Sequence, residues 1–283
     1  MPEFLLPKIK PKVIDSIIRR NDIIGKIAGI NLKPIDFNDE YEFKEYLDAI
    51  IRLKGDENYT GLFIEGYKDL SKESIFRIEE FTNMKISDGE NIKITNLPLI
   101  MKEICNRMKT NLEEKEILVI SDNKEKIKAL IKGISKDIRF ITAIGCEKDN
   151  DEIYEYILEE TGLSLFYPSN IKRILGNYSI IINLIGNLQI DFSKVRKNCI
   201  IFDFGNGIHL SNKRTLPFIK DFAFALNDLS IEENIWMEGI VLSSLAESLI
   251  GGNMKGIRYL YCEDNYYTIE DYVKSFINIK GNF

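Results

Sequence analysis

Residues 116–121, Glu-Ile-Leu-Val-Ile-Ser, constrain the fold more than any other stretch. A charged segment, Glu113, Glu114 and Lys115, gives way to a short β-branched apolar run that stops at Asp122-Asn123. A lysine-rich segment of helical character follows, then a second apolar run over 138–144. That succession predicts a buried parallel strand, a turn with a good helix N-cap, a crossover helix and another strand. Two more runs, 178–185 and 198–204, each close at a glycine, Gly186 and Gly205. The second half of the chain therefore reads as α/β, a doubly wound and mostly parallel sheet of the nucleotide-binding kind.

Upstream, three prolines (Pro2, Pro7, Pro11) precede a pattern, Val13, Ile14, Ile17, Ile18, that predicts a helix apolar on one face. Strands are expected over 23–32, 60–65 and 84–87. Helices are expected over 41–53, with Phe43, Tyr46, Leu47, Ile50 and Ile51 on one apolar side, and from Ser71 onward, where Ser71 and Ser74 are candidate caps and Ile75, Phe76, Ile78 and Phe81 supply the apolar face. This alternation predicts a small α/β domain over residues 1–95. A connecting helix is expected over 96–115, with Pro98 in its first turn, where a missing N–H costs little. The sheet domain then spans 116–250, including a sixth strand at 221–226 and a long buried helix over 231–250 that stops at Gly251-Gly252. The tyrosine-rich tail, 251–283, is expected to pack back on the body.

The 283 residues suffice for two domains, and 45% hydrophobic with 29% charged residues is ordinary globular composition. A net charge of -6 argues against a nucleic-acid partner, because neutralising phosphates needs a basic surface. Cys105, Cys146, Cys199 and Cys262 lie far apart without a CxxC pair, so neither a metal site nor a disulfide framework is expected. No stretch approaches the roughly 20 apolar residues that cross a bilayer. The expectation is a cytoplasmic protein with no membrane partner.

Three stretches carry a family resemblance. Residues 175–183, Leu-Gly-Asn-Tyr-Ser-Ile-Ile-Ile-Asn, and 195–205, Val-Arg-Lys-Asn-Cys-Ile-Ile-Phe-Asp-Phe-Gly, resemble segments of the shikimate dehydrogenase and methylenetetrahydrofolate dehydrogenase superfamily. Residues 244–249, Ser-Leu-Ala-Glu-Ser-Leu, resemble the closing helix of bacterial acyl-carrier-protein reductases. The resemblance covers about residues 25–250 and implies a substrate domain, a Rossmann-like domain, a cofactor of the NAD or NADP type and a small carbonyl or hydroxy-acid substrate. It implies a cofactor edge formed by Ser121, Asp122, Asn123, Asn183, Gly186, Asp203, Gly205, Asn206 and Gly207.

The residues depart from that pattern at the phosphate loop. A dinucleotide site needs glycines after the first strand, so that backbone can approach the pyrophosphate. Here the turn is Ser121-Asp122-Asn123-Lys124-Glu125-Lys126, with no glycine and with an acid where phosphates would lie. Lys124 and Lys126 offset part of that charge. The second strand ends without the acid that accepts ribose hydroxyls; the nearest is Glu147. Ser244 stands where the reductases carry a nucleophilic cysteine.

Two residues are candidates for catalysis. His209, the only histidine, follows the fifth strand in a loop with Gly205 and Gly207, where ligands of open α/β folds bind. Glu247 lies on the closing helix. Glu65 and Asp69 are expected to face the same cleft. The glycine-free turn favours a divergent dehydrogenase-like protein with weak or no catalysis, acting in binding or regulation; the alternative is an active NAD(P)-dependent oxidoreductase. The cofactor is accordingly NAD or NADP, or none. The expected partner is a small molecule in the interdomain cleft, or a protein.

Overall fold

The computed structural model describes residues 10–30, 35–67, 70–168, 170–186, 194–205, 218–225, 229–231, 240–250, 256–262 and 264–277. In chain order, β1 (Lys12–Arg19) and β2 (Asp22–Gly29) precede α1 (Glu40–Lys54), β3 (Gly61–Leu62), α2 (Lys72–Thr82) and β4 (Lys85–Ile86). Helix α3 (Glu90–Arg107), β5 (Glu116–Ile120), α4 (Lys124–Ile134), β6 (Phe140–Ile144), α5 (Asn150–Thr161), β7 (Leu165–Phe166) and α6 (Ile171–Ile174) follow. Then come β8 (Ile180–Asn183), β9 (Ile200–Asp203), β10 (Asp221–Ala225), β11 (Leu229–Ile231), β12 (Ile240–Leu242) and α7 (Ser243–Ile250). The chain closes with β13 (Ile257–Cys262), β14 (Asn265–Tyr267) and α8 (Ile269–Tyr272), which runs on into a π-helical turn, Val273–Ile277.

The chain forms two compact units, Met1–Gly89 with Ala225–Met254, and Glu90–Phe224 with Lys255–Phe283. The cuts fall after residues 89, 224 and 254, where the sequence reading placed them after 95, 115 and 250.

In the first unit β1 pairs antiparallel with β2 on one side and with β11 on the other, Ile17 opposite Ile231. The expected helix over Val13–Ile18 is this strand. Register shifts after Val13 and Ile17 mark β-bulges, which break the two-residue alternation and leave apolar residues at helix-like spacing. Arg20 and Asn21 turn the hairpin with positive φ, 51° and 76°. Helix α1 starts where the Asp39 carboxylate accepts from the amides of Tyr41 and Glu42, and α2 where Ser71 accepts from Ser74. Their inward faces join one cluster, Phe43, Tyr46, Leu47, Ile50 and Ile78 among them.

The second unit is built on five parallel strands in the order β7-β6-β5-β8-β9. Counted from β5 this is third, second, first, fourth, fifth, the doubly wound Rossmann order, with the reversal between β5 and β8. The expected α/β class and parallel sheet are therefore present. Strands β5, β8 and β9 are buried along nearly their whole length, which explains their unalternating apolar runs. Helix α3 begins at Glu90, well before the expected start, so Pro98 lies inside it and leaves a helical carbonyl one turn back without its usual donor. The Pro98 ring packs 3.7 Å from where Gly133 of α4 would carry a Cβ. Beyond β9, strands β10, β13 and β14 run antiparallel, and Phe202, Phe204 and Phe222 stack with centroids 5.3–6.3 Å apart. Tyr272 of the tail is 2% exposed.

The long helix expected over 231–250 is instead β11, β12 and the short α7, with residues 232–239 outside the described residues. All four cysteines are buried. Among the described residues, no helix is long and apolar enough to cross a membrane, and no group of three His, Cys, Asp or Glu side chains could hold a metal ion.

Candidate functional site

The carboxyl ends of β5, β6, β8 and β9 are level: Ile120 is paired with Ile144 and Asn183, and Asn183 with Asp203. In an open parallel sheet this edge, at the reversal beside β5, is where a ligand is received. Ser121, Asn123, Asn183, Asp203 and Gly205 are all placed here.

The β5–α4 turn is closed on itself. Ser121 is fully buried; its amide donates to the Ile144 carbonyl at 3.1 Å and its Oγ accepts from the Asn123 amide at 3.1 Å. Asn123 Oδ1 then accepts from the amides of Glu125 (2.9 Å) and Lys126 (3.2 Å). These are the N–H groups that a pyrophosphate would need at this helix start. Gly145 packs over the turn with φ 106°, and a Cβ there would collide with the Ser121 carbonyl. The Cys146 thiol donates to that same carbonyl at 3.3 Å.

The electrostatics run the same way. Asp122 is exposed. The Cys146 thiol is pushed up, chiefly by burial and then by Asp149, Asp122 and Glu147. Lys124, expected to offset the acids, pairs with Glu152 at 2.6 Å and Asp149 at 3.6 Å, and Lys126 pairs with Glu90 at 2.5 Å. Glu152 also takes Lys128 at 2.7 Å, and the two lysines, Lys124 first, hold its carboxyl down at about 2. The acidic face of α5 is exposed as expected, yet two of its acids, Glu152 and Glu160, match the lysine stripe 124, 128, 132 of α4. That complementarity of four-residue spacings was readable in the sequence.

Asn183 and Asp203 form a buried polar latch, 0% and 1% exposed. Asn183 Nδ2 donates to Asp203 Oδ1 at 2.7 Å and to the Ile185 carbonyl at 2.9 Å; its Oδ1 accepts from the Ile185 amide at 3.1 Å. The amides of Phe204 and Gly205 donate to the Asn183 carbonyl. A Cβ on Gly205 would run into the Ile185 backbone, so this glycine serves a close backbone crossing. Gly186 is exposed. Asn206, Gly207 and His209 lie outside the described residues, as does Asp69.

Glu247 is in the first unit. Its Oε2 accepts from the Gly89 amide at 2.7 Å, and Gly89, φ 74°, has no room for a Cβ against Ser243 and Ser244. Ser244, the counterpart of the reductase cysteine, is 8% exposed. Glu65 is exposed. Two residues at the sheet's carboxyl side were not anticipated. Lys93 on α3 is buried, with its Nζ 5.5 Å from the centroid of the Phe204 ring. Tyr167, just past β7, has a buried hydroxyl without a partner among the described residues, and burial above all pushes its phenol up. Neither carries a sequence signal, since each depends on which elements pack beside it.

No family model matches the chain, and no curated protein matches it. Among solved structures it is similar to a quinate dehydrogenase from Corynebacterium glutamicum in complex with NAD, at 10% identity and TM-score 0.32 over 40% of this chain and 42% of that one. A shikimate 5-dehydrogenase from Listeria monocytogenes aligns at 11% identity and TM-score 0.29, over 38% of this chain and 43% of that one. Dipicolinate synthase A chain from Bacillus subtilis aligns at 14% and 0.32, over 62% and 54%. The chain thus spans about half or less of the length of these proteins. At these scores the likeness adds nothing to the fold that the strand order establishes.

Proposed function

We propose that this chain is a divergent, dehydrogenase-like Rossmann protein that does not use a dinucleotide, with weak or no catalysis, and that it acts by binding a small molecule or a protein. The observation that carries this reading is the β5–α4 turn. Its amides at Asn123, Glu125 and Lys126 already have side-chain acceptors, and Gly145 seals the turn with backbone. Replacing those acceptors by phosphate would also bring anionic charge beside Asp122, Asp149 and Glu147. The residues present do not fit a pyrophosphate, so no hydride-transfer step is derived.

The alternative, an NAD(P)-dependent oxidoreductase, keeps the support of the Asn183–Asp203 latch at the cofactor edge. Calorimetric titration of the purified protein with NADH and with NADPH separates the two. The expected result is no binding up to about 1 mM, an affinity below about 4 kcal/mol. Micromolar binding of either cofactor overturns the proposal.

A further inference from the structure

At the opposite, amino edge of the parallel sheet lies a cavity of ≈ 420 Å³. We propose that it binds a small, flat, neutral aromatic molecule carrying a carbonyl oxygen. The claim is independent of the reading of the carboxyl edge, because none of the residues that argue it belongs to that site.

The cavity exists because the crossover from β7 to β8 is short. It holds one helical turn, α6, and a 3₁₀ turn, Leu175–Asn177, and these cover the sheet around Leu118, Ile120 and Ile181. Among the described residues, no element covers the face of β6 and β7 beside them. Thr142 is paired with Phe166 in register, so both side chains, with Phe140 two residues back, share that face. Phe140 is 61% and Phe166 56% exposed. Two phenyl rings held in water on the rim of a concavity of ligand size are what a flat apolar partner would cover.

The floor supplies the polar requirement. Tyr178 and Thr142 are 3% and 6% exposed, and the Tyr178 hydroxyl donates to Thr142 Oγ1 at 3.1 Å. The proton of Thr142 itself has no acceptor among the described residues. A buried donor without an acceptor costs free energy that a ligand oxygen recovers, and a buried hydroxyl is therefore a directional contact for a carbonyl. The rim carries Arg139 and Glu116, of opposite sign, and Arg139 is already paired with Glu113 at 2.8 Å. With Arg139 committed to Glu113, Glu116 on the same rim disfavours an anion, which selects a neutral ligand over a carboxylate.

The test is an NMR titration of the full chain, labelled at isoleucine δ1 methyls, with benzamide as the probe. Saturable shifts at Ile174, which lines the cavity, are expected in the millimolar range. Benzoate and cyclohexanecarboxamide are expected to bind more weakly, the first for its charge and the second for its puckered ring. Thr142→Val should weaken benzamide about three- to tenfold by removing the donor. Phe166→Ala should do so by a similar factor, about three- to tenfold, and being exposed it leaves the fold intact should the threonine variant fail to fold. Absence of shifts at about 50 mM, a benzoate preference, or shifts that Phe166→Ala leaves unchanged would each overturn the proposal.

Discussion

Removing the amide of Asn183 tests whether the β8 and β9 ends are held as one polar unit. Asn183→Leu keeps the branched outline of the side chain and deletes three hydrogen bonds, two to Ile185 backbone and one to the Asp203 carboxylate. Neutral buried bonds contribute about 1 kcal/mol each and a charge-assisted one about 1.5–3, so the variant should lose about 3–5 kcal/mol. That is a large part of the roughly 5–15 kcal/mol that keeps a domain folded. Asp203→Leu should be of similar severity, since it leaves the Asn183 amide buried with one acceptor fewer. The double variant is the informative one. Replacing both partners with apolar groups removes the orphaned donor and acceptor together, so the two losses should overlap by about 1.5–3 kcal/mol. Urea unfolding followed by circular dichroism gives the cycle, and hydrogen exchange at the Ile185 amide shows whether the loss is local. Additivity within about 0.5 kcal/mol would refute the coupling.

Two further outcomes follow from the same edge and its flank. Gly205→Ala should lower the unfolding midpoint strongly, because its methyl group has no volume to occupy against the Ile185 backbone; Gly186→Ala, whose Cβ meets nothing closer than 3.7 Å, should be nearly silent in the same thermal melt. Glu152→Gln should cost stability only above the ordinary carboxylate range. The Glu152 carboxyl is held at about 2 against an ordinary 4.5, so its contribution is full above 4.5 and disappears as pH falls towards 2. Because the pair with Lys124 is exposed, 1 M salt should shrink the difference at pH 7; an unchanged difference would contradict the assignment.

The parallel sheet was legible because strands buried on both faces, β5, β8 and β9, are written as unbroken apolar runs, and β6 too falls within a predicted stretch. Asn123 was legible as a cap for the same local reason, since an asparagine before a helical run satisfies the first amides. What failed was periodicity in short elements. The bulges in β1 gave Val13, Ile14, Ile17 and Ile18 the spacing of a helix, and the apolar stretch before α7 joined β12 to that helix in the reading. Pro98 misplaced the start of α3, because a proline is a better first-turn residue than an interior one. At the site, sequence could name Asn183 and Asp203 but not their bond to each other, nor that Lys124 and Lys126 are committed to acids on other elements. Those are facts of register and packing. The exposed Phe140 and Phe166 were invisible for a related reason, since a strand's apolar residues announce burial whether or not a helix arrives to cover them.

The pairing of β1 with β11 ties residues 17–19 to residues 229–231. During synthesis the β1–β2 hairpin emerges well before β11, and one flank of β1 then lacks that partner. At about 5–20 residues per second that flank waits on the order of 10–40 s for its partner to leave the ribosome. Throughout that interval an unsatisfied row of backbone donors and acceptors, bordered by isoleucines, is open to pairing with other nascent chains. The same separation leaves the first unit incomplete until the strands of the parallel sheet have been made, although its first segment precedes them. This edge therefore has to stay unpaired while the parallel sheet between its two halves is being made.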